Sequence, residues 1–388
     1  MNQQTKRSHL WSALLMILFL FGASVLSLEE KTEMTLGRFQ SFPSKILGED
    51  FKYIVHLPEG YERTTGKYPV LFVLNAHMKS TFANAVATVS RLGTEMIPAM
   101  ILVGLCNDTG RSRDTMPNEA GNEPGGAVLF LNFLTGEFVP FIDKTYRTKK
   151  FRILAGQSNT GLFTLYVFLT EPQAFDGFIA ASPSLGWCLD LIKKRAKNLF
   201  QNGKWSGKFL YMNYGGKDYK ELCVDPILEF DKYIKDAAPP KFKYHLEFLK
   251  MDGHVPLASL NNGLLWMFPD FWVCDKMKAE GLAAVDNHFE KLSQRYGFDM
   301  EAPEEVLFSM SYDLLRQKKI DESRALGQTL LKRYPYSPRG WFVLAEYHRL
   351  QKDLDKAREF YKKALEIDPE FVPAKRRLEI IERDKGPQ

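Results

Sequence analysis

The sequence predicts an α/β fold with a mostly parallel sheet, followed by a small all-helical domain. Seven short apolar runs are typical of strands, and amphipathic helical stretches separate most of the later ones. Strands that alternate with helices form a parallel sheet covered on both faces. After about residue 271 the spacing of apolar residues changes to that of a helical repeat. These patterns divide the chain into a sheet domain and a repeat domain.

Polar residues follow several of the predicted strands. The strands are Phe51–Leu57, Val70–Asn75, Met100–Leu105, Phe151–Ala155, Phe175–Ala181, Phe209–Asn213 and Tyr244–Leu249. The polar groups that follow them are Asn75–His77, Ser158, Asn213–Asp218 and Asp252–His254. Ligands of a doubly wound sheet bind beyond the carboxyl ends of its strands. We therefore expect these residues to meet at one edge of the sheet.

Ser158 has the sequence context of a nucleophile. A serine hydroxyl attacks poorly at neutral pH until a base accepts its proton, and an α/β-hydrolase presents that serine on a sharp strand-to-helix turn with the pattern G-x-S-x-G. Gly156 supplies the first glycine, but Thr160 occupies the fifth position and the next glycine is Gly161. A β-branched residue there is expected to crowd the turn. An ordinary strand-to-helix turn is the alternative interpretation.

Several separated segments between Tyr53 and Phe268 carry a family resemblance. They are Leu57-Pro58-Glu59-Gly60-Tyr61, Tyr68-Pro69-Val70-Leu71-Phe72-Val73-Leu74, Arg111-Ser112-Arg113-Asp114-Thr115-Met116-Pro117, Gly125-Gly126-Ala127, Tyr146-Arg147-Thr148, Ala181-Ser182-Pro183-Ser184 and Gly253-His254-Val255-Pro256-Leu257. The stretch resembles the putative-esterase family, which contains esterase D and the enterochelin esterases. The resemblance implies an α/β-hydrolase fold that cleaves siderophore-like trilactones or acylated carbohydrates through an acyl-serine.

Two positions depart from the pattern of that family. Asn75-Ala76 stands where the family usually has Asp-Gly, and Thr160 replaces the first glycine of its S-x-G-G sequence. Both departures lie in the region expected to stabilise the oxyanion. They favour a second hypothesis, in which an exported hydrolase-fold protein with weak or no catalysis acts as an interaction module through its repeats.

His254 is the predicted general base, because it follows a strand and lies in Gly253-His254-Val255-Pro256-Leu257, one of the segments that resemble the family. The chain order Ser, Asp, His is that of an α/β-hydrolase triad. Asp218, which follows the strand Phe209–Asn213, is the first choice for the acid that orients the histidine. Asp225 and Asp252 compete with it, although Asp225-Pro226 also has the form of a helix start. A dyad without an acid stays open.

The oxyanion hole requires donors aimed at charge that develops during acyl transfer. The backbone N–H of Asn159 is expected to supply one donor, and that of Ala76 or His77 the other. His77, Arg111 and Arg113 are candidates for substrate binding. The structural alternatives are a solvated loop histidine, a loop-bracing Arg–Asp pair and a solvated Arg111.

Composition excludes several other classes of function. The four cysteines are widely separated, and the chain lacks HExxH, Walker A and GxGxxG motifs. We therefore expect no metal and no cofactor. The formal net charge is only +5 in 388 residues, and no basic tract is interleaved with aromatic residues, so nucleic acid is not an expected partner. With 45% hydrophobic residues, the chain can build a large core.

The N-terminus has the pattern of a signal peptide. Lys6 and Arg7 precede an apolar run from Leu10 to Phe21, and small residues follow up to Ser27. We expect cleavage near Ser24 or Ser27 and an exported protein, periplasmic or secreted, with no stable membrane anchor after cleavage. A retained anchor is the alternative, although the run is shorter than the ~20 residues that a spanning helix needs.

The C-terminal part follows the spacing of tetratricopeptide repeats. One repeat starts at Pro338, and a shift of 34 residues finds a degenerate copy that ends in Pro335. The predicted organisation is a signal peptide (1–27), a hydrolase domain (28–271), a helical connector (272–303) and repeats with a capping helix (304–388). Two repeats are fewer than the ~3 needed for independent stability. We expect them to lean on the hydrolase domain or to bind a protein partner or a second copy.

Overall fold

The computed structural model describes residues 35–107, 114–117, 126–254 and 257–383. In this part of the chain, eight strands form one sheet in the order β1-β2-β4-β3-β5-β6-β7-β8. The strands are β1 (Arg38–Ser44), β2 (Glu49–His56), β3 (Tyr68–Val73), β4 (Ile101–Leu105), β5 (Thr148–Gln157), β6 (Gly177–Ala181), β7 (Phe209–Lys217) and β8 (Lys243–Gly253). All pairs from β4 to β8 are parallel, and β2 joins β1 and β4 in antiparallel pairs. The predicted mostly parallel sheet is confirmed.

The sequence did not reveal strand β1. Its sequence, Arg-Phe-Gln-Ser-Phe-Pro-Ser, contains no continuous apolar run, and most of its residues are exposed. It pairs with β2 at one edge of the sheet. The central strands differ because helices cover both of their faces: every residue of β4 and β6 is buried. Burial on both faces produces the continuous apolar runs by which the sequence identified these strands.

Helices lie on both faces of the sheet. They are α1 (Lys79–Leu92), α2 (Gly126–Phe133), α3 (Val139–Thr145), α4 (Asn159–Thr170), α5 (Leu189–Asn202), α6 (Asp225–Ala237) and α7 (Ser259–Met267). On one face, the Phe168 ring of α4 packs on Phe178 of β6 with centroids 5.0 Å apart. The next residue of β6, Ile179, packs against Gly263 of α7. Because successive side chains of a strand point to opposite faces, α4 and α7 cover opposite sides.

One helical run is long and apolar enough to cross a membrane by length and composition. It spans Gly126–Thr145, has a mean hydropathy of 1.3 and joins α2 to α3 through a π-helical stretch, Leu134–Phe138. The rings of Phe130, Phe133 and Phe138 are fully buried, and each packs on Phe51 of β2 at 4.7–5.8 Å between centroids. This is the packing of a core helix in the sheet domain.

The C-terminal helices form the repeat array. After α8 (Asp275–Ala279) and α9 (Leu282–Tyr296), they are α10 (Glu304–Arg316), α11 (Ile320–Arg333), α12 (Pro338–Leu350), α13 (Leu354–Ile367) and α14 (Val372–Arg383). Small residues let the paired helices approach closely, as the spacing predicts. In the first pair, the buried Ser323 hydroxyl donates to the carbonyl of Ser311 at 2.9 Å. In the second, Ala345 and Ala357 are fully buried.

The connector packs at the amino ends of the strands. From α9, the Tyr296 ring stacks on Phe209, the first residue of β7, with centroids 5.7 Å apart. Phe298 packs on Phe151 near the start of β5 at 5.1 Å. The repeats then bind the connector: Arg333 makes two 2.7 Å hydrogen bonds to Asp286. Ser158, Asp218 and His254 follow the carboxyl ends of β5, β7 and β8. The repeats are therefore anchored at the opposite ends of the strands from these three residues.

Removal of the repeats is expected to preserve the chemistry and to reduce stability. A chain of residues 28–301 keeps the packing of Tyr296 and Phe298 on the sheet. It loses the Arg333–Asp286 ion pair, and the connector surface that the repeats contact becomes exposed to solvent. We expect small-ester turnover within about threefold of that of residues 28–388, together with a lower thermal midpoint. Kinetics, thermal unfolding and solution mass of the two chains measure this. A folded, inactive short chain would show that the repeats contribute to the active site.

Candidate active site

Ser158 lies on a strained turn between β5 and α4. Its backbone has φ 57° and ψ −122°, a conformation that costs a non-glycine residue on the order of 1–3 kcal/mol. Two glycines make the turn possible. A Cβ on Gly156 would lie 2.3 Å from the Thr160 carbonyl oxygen, and a Cβ on Gly161 would lie 2.8 Å from the Ala181 carbonyl oxygen of β6. The turn is a nucleophile elbow, and Gly161 is the glycine that lets α4 pack close to the sheet.

Thr160 does not crowd the turn, so that expectation is wrong. Its side chain is fully buried, and its hydroxyl donates to the Gln157 carbonyl at 2.8 Å while accepting from the Gln157 N–H at 2.9 Å. Asn75 Nδ2 donates a third hydrogen bond to the same oxygen at 3.1 Å. The hydroxyl therefore uses its one donor and two acceptor positions, and the β-branched residue braces the elbow.

His254 and Asp218 meet as the sequence predicts. His254 Nδ1 lies 2.7 Å from Asp218 Oδ1, and the Asp218 side chain is fully buried whereas that of His254 is 25% exposed. The backbone N–H of Tyr219 also donates to Asp218 at 2.8 Å. Burial acts to raise the pKa of the Asp218 carboxyl, but hydrogen bonds from His254, Ser182 and Tyr219 outweigh it and hold this pKa below its usual value.

The lowered pKa keeps Asp218 ionised at neutral pH. Because the folded-state pKa is depressed, the carboxylate stabilises the fold fully above its unfolded-state pKa, and this contribution is lost as pH falls through the folded-state value.

The other two acids that the sequence offered, Asp225 and Asp252, do not contact His254. Asp225 is an exposed residue at the start of α6, and Asp252 lies within β8. Among the described residues, Asp218 is the acid that contacts His254.

The Ser158 hydroxyl contacts another serine. Its Oγ lies 3.3 Å from Ser184 Oγ, and no hydrogen bond to His254 is present among the described residues. Catalytic hydrogen bonds are often long in a free enzyme and tighten when substrate binds. Ser184 is fully buried in the loop after β6. Its role was missed, although Ala181-Ser182-Pro183-Ser184 is one of the segments that carry the family resemblance.

The residues predicted to form the oxyanion hole or to bind substrate lie in different environments. Asn159 is the first residue of α4, where the N–H has no intrahelical acceptor, so it stays a candidate donor. The prediction for Ala76 is wrong, because its N–H donates to the Leu105 carbonyl of β4 at 2.9 Å. His77 lies half-buried in the loop after β3. Arg111 and Arg113 lie outside the described residues.

Cys223 lies beside the acid and the base. Ligand atoms of Asp218, Cys223 and His254 are all within 4.8 Å of one another. Burial raises the pKa of the Cys223 thiol to about 12, with a further contribution from the charge of Asp218, so the thiol is protonated at neutral pH. None of the four cysteines forms a disulfide within the described residues.

An apolar cavity of about 230 Å³ adjoins the elbow. Gly156 and Gln157, just before Ser158, form part of its wall, and strands β3, β5 and β6 together with helices α1 and α7 supply most of the rest. Two hydrogen bonds brace the wall: Gln157 Nε2 donates to Thr81 Oγ1 at 3.3 Å, and Asn84 Nδ2 donates to the Leu257 carbonyl at 3.2 Å. Most of the residues that line the cavity are apolar, so the space next to the elbow is mainly hydrophobic.

Each of the two parts of this architecture matches a family of known proteins. Residues 44–213 match the family model described as putative esterase, and residues 308–370 match a tetratricopeptide-repeat model. Ferri-bacillibactin esterase BesA of Bacillus subtilis (strain 168) is 36% identical over 150 residues, which cover 33% of this chain and 52% of that protein. The chain thus spans about half the length of this curated relative.

Two solved structures extend the likeness. An IroE-like serine hydrolase from Shewanella oneidensis has a TM-score of 0.63 at 24% identity, covering 77% of this chain and 99% of that one. An uncharacterised protein from Capnocytophaga ochracea DSM 7271 has a TM-score of 0.59 at 19% identity, covering 89% and 99%. At these identities the likeness establishes the fold alone. Residues 44–213 of the sheet domain are thus similar to the putative-esterase family, and a match to tetratricopeptide repeats follows at residues 308–370.

Proposed function

We propose that this protein is a serine esterase that hydrolyses carboxylic esters of the siderophore type through an acyl-serine intermediate. The observation that carries the proposal is the 2.7 Å hydrogen bond between His254 Nδ1 and the buried Asp218. It lies at the same sheet edge as the strained Ser158 elbow. A histidine held by a buried carboxylate, together with a serine on such a turn at the same ends of the strands, supplies the parts that acyl transfer needs.

The proposed reaction begins when Ser158 Oγ attacks the ester carbonyl and His254 Nε2 takes the hydroxyl proton. Because the serine contacts Ser184 in the free protein, its side chain must first rotate toward the imidazole. The tetrahedral oxyanion accepts hydrogen bonds from Asn159 N–H and from an amide of the loop after β3. The ionised Asp218 stabilises the imidazolium that has formed.

Collapse of this intermediate breaks the bond to the alcohol, which leaves with the proton carried by His254. Water then enters, His254 accepts one of its protons, and the resulting hydroxide attacks the acyl carbon. The second collapse returns the proton to Ser158 Oγ and releases the carboxylic acid. Each half-reaction moves one proton to His254 and back, so the enzyme ends unchanged.

Two observations support a bulky ester such as a siderophore lactone. The Bacillus subtilis relative is named a ferri-bacillibactin esterase, and two further relatives that match shorter stretches are named siderophore esterases. An exposed aromatic side chain lies against His254: the centroid of the Tyr219 ring is 4.7 Å from that of the imidazole, and Tyr219 is 60% exposed. Trp187, which follows Ser184, is also exposed. Acylated carbohydrates are the second substrate class.

A substrate panel tests the proposal. Full-length protein lacking the leader is assayed with a trilactone siderophore, an acetylated xylo-oligosaccharide and short-chain aryl esters, and product acids are quantified. We expect turnover of the aryl esters and a preference, in kcat/KM, for the trilactone. Absence of turnover and of fluorophosphonate labelling across the panel would favour the interaction-module hypothesis, and preference for the carbohydrate would redirect the substrate class.

We also propose that the protein is exported. The proposal rests on the charged start, apolar run and small residues of the first 27 positions. Expression in a bacterium with the native N-terminus, followed by intact-mass measurement of the periplasmic fraction, tests it. A protein that begins near residue 25 or 28 supports export with cleavage, and a full-length cytoplasmic protein contradicts it.

A further inference from the structure

The two departures from the family pattern contact each other. Asn75 follows β3, and Thr160 is the second residue of α4, 85 positions further along the chain. Strands β3 and β5 are parallel neighbours, so their carboxyl ends bring the two residues together. Asn75 Nδ2 donates to Thr160 Oγ1 at 3.1 Å, and the two residues are 2% and 0% exposed.

A third residue completes a buried network. Asn107, which follows β4 and is 2% exposed, accepts from the Asn75 N–H through its Oδ1 at 2.9 Å. Its Nδ2 donates to Asn75 Oδ1 at 3.4 Å. Asn75 therefore uses its backbone donor, one of its two side-chain N–H donors and its side-chain acceptor within one network. The network links the carboxyl ends of three adjacent strands, β4, β3 and β5.

The network joins two parts of the active site. Asn75, held at φ 60°, begins the loop that is proposed to supply an oxyanion donor. Thr160 holds both the N–H and the carbonyl of Gln157, the residue before Ser158. A fully satisfied polar network in a low-dielectric interior is rigid, whereas a half-satisfied one leaves costly unpaired groups. The Asn75–Thr160 bond thus fixes the oxyanion loop relative to the nucleophile.

We propose that Asn75 and Thr160 are a matched pair of positioning residues, which set the distance between the oxyanion loop and Ser158. The inference rests on the proposed esterase function and extends it. Neither residue touches the reacting atoms in this role. Each acts through its neighbour, so the two side chains depend on each other, and changing one removes the benefit of the other.

Thr160→Val tests the pair, because it keeps the branched shape and removes the hydroxyl. We expect kcat for an aryl ester to fall about 10²-fold, the order that a small misplacement of reacting groups costs, with KM within about threefold. Thr160→Ser, which keeps the hydroxyl, is expected to restore most of kcat. Thr164→Val is the matched control: Thr164 is buried one turn further along α4, and its hydroxyl donates to the Thr160 carbonyl at 2.8 Å.

The double variant decides whether the residues are coupled. Asn75→Asp removes the donor with little change in shape, and the Asn75→Asp/Thr160→Val protein is expected to be no slower than the worse single variant. Multiplying losses would show independent roles and overturn the inference, as would equal kcat values for Thr160→Val and Thr164→Val. The rate of fluorophosphonate inactivation should follow kcat, and thermal midpoints identify variants that lose activity by unfolding. Inactive wild-type protein would contradict the esterase proposal itself.

Discussion

Ser158→Ala is expected to abolish fluorophosphonate labelling and to lower kcat for every ester by about 10⁴- to 10⁶-fold. The loss is large because no other group supplies the nucleophile on the elbow between β5 and α4. The backbone of the variant can adopt the same turn, since the φ of 57° belongs to the residue position and alanine has a Cβ like that of serine. The fold and thermal midpoint are therefore expected to stay close to wild type.

Ser184→Ala is the matched control for the nucleophile. Ser184 is buried and its Oγ lies 3.3 Å from that of Ser158, so it is the neighbouring hydroxyl with which a probe adduct has to be distinguished. Peptide mapping of labelled wild type should find the adduct on Ser158, and Ser184→Ala should still be labelled. An adduct on Ser184, or labelling that survives Ser158→Ala, would assign the nucleophile elsewhere.

The connector that carries the repeats packs at the amino ends of the strands, and the candidate site lies at their carboxyl ends. The connector rings Tyr296 and Phe298 pack near the starts of β7 and β5, whereas Ser158 and His254 follow the ends of their strands. The described contacts through which the connector holds the repeats therefore lie away from the elbow. This separation permits an enzyme whose repeats determine where it acts while the hydrolase domain determines what it cleaves.

The sequence predicted those features that depend on local pattern. The central strands have continuous apolar runs because both of their faces are buried. Ser158 and Asp218 follow the central strands β5 and β7, whereas His254 follows β8, a half-buried strand at the edge of the sheet. Strand β1 lacked this signal because it is an exposed edge strand. The position of the Ser158 elbow was predictable from Gly156 and Gly161, since both glycines are required by close backbone contacts.

Features that depend on contacts between distant residues were not predictable. Thr160 was expected to crowd the turn because β-branching is a local property, whereas its hydrogen bond to Asn75 arises only when β3 and β5 lie side by side. The Ala76 amide was expected to face the oxyanion, but the register of the sheet edge directs it to Leu105. Ser184 approaches the site from the loop after β6, and Cys223 from the π-helical turn Lys220–Val224 that precedes α6.

His254→Ala is expected to lose as much activity as Ser158→Ala, about 10⁴-fold or more, because nucleophile and base act as a unit. Asp218→Asn is expected to lose about 10²- to 10⁴-fold, since the asparagine fills the same buried space but cannot stabilise the imidazolium or select the same imidazole tautomer. Measurement of kcat and of the fluorophosphonate inactivation rate for each variant distinguishes the two roles, and thermal midpoints control for folding.

Asp225→Asn separates the triad from the alternatives. Asp225 is exposed at the start of α6, whereas Asp218 is buried against His254, so Asp225→Asn should retain turnover within about threefold of wild type. A severe loss in Asp225→Asn together with near-normal turnover in Asp218→Asn would transfer the acid role to Asp225. Normal turnover in both would indicate a Ser158–His254 dyad. The 2.7 Å contact, the buried carboxylate and its lowered pKa all predict instead that only Asp218→Asn is impaired.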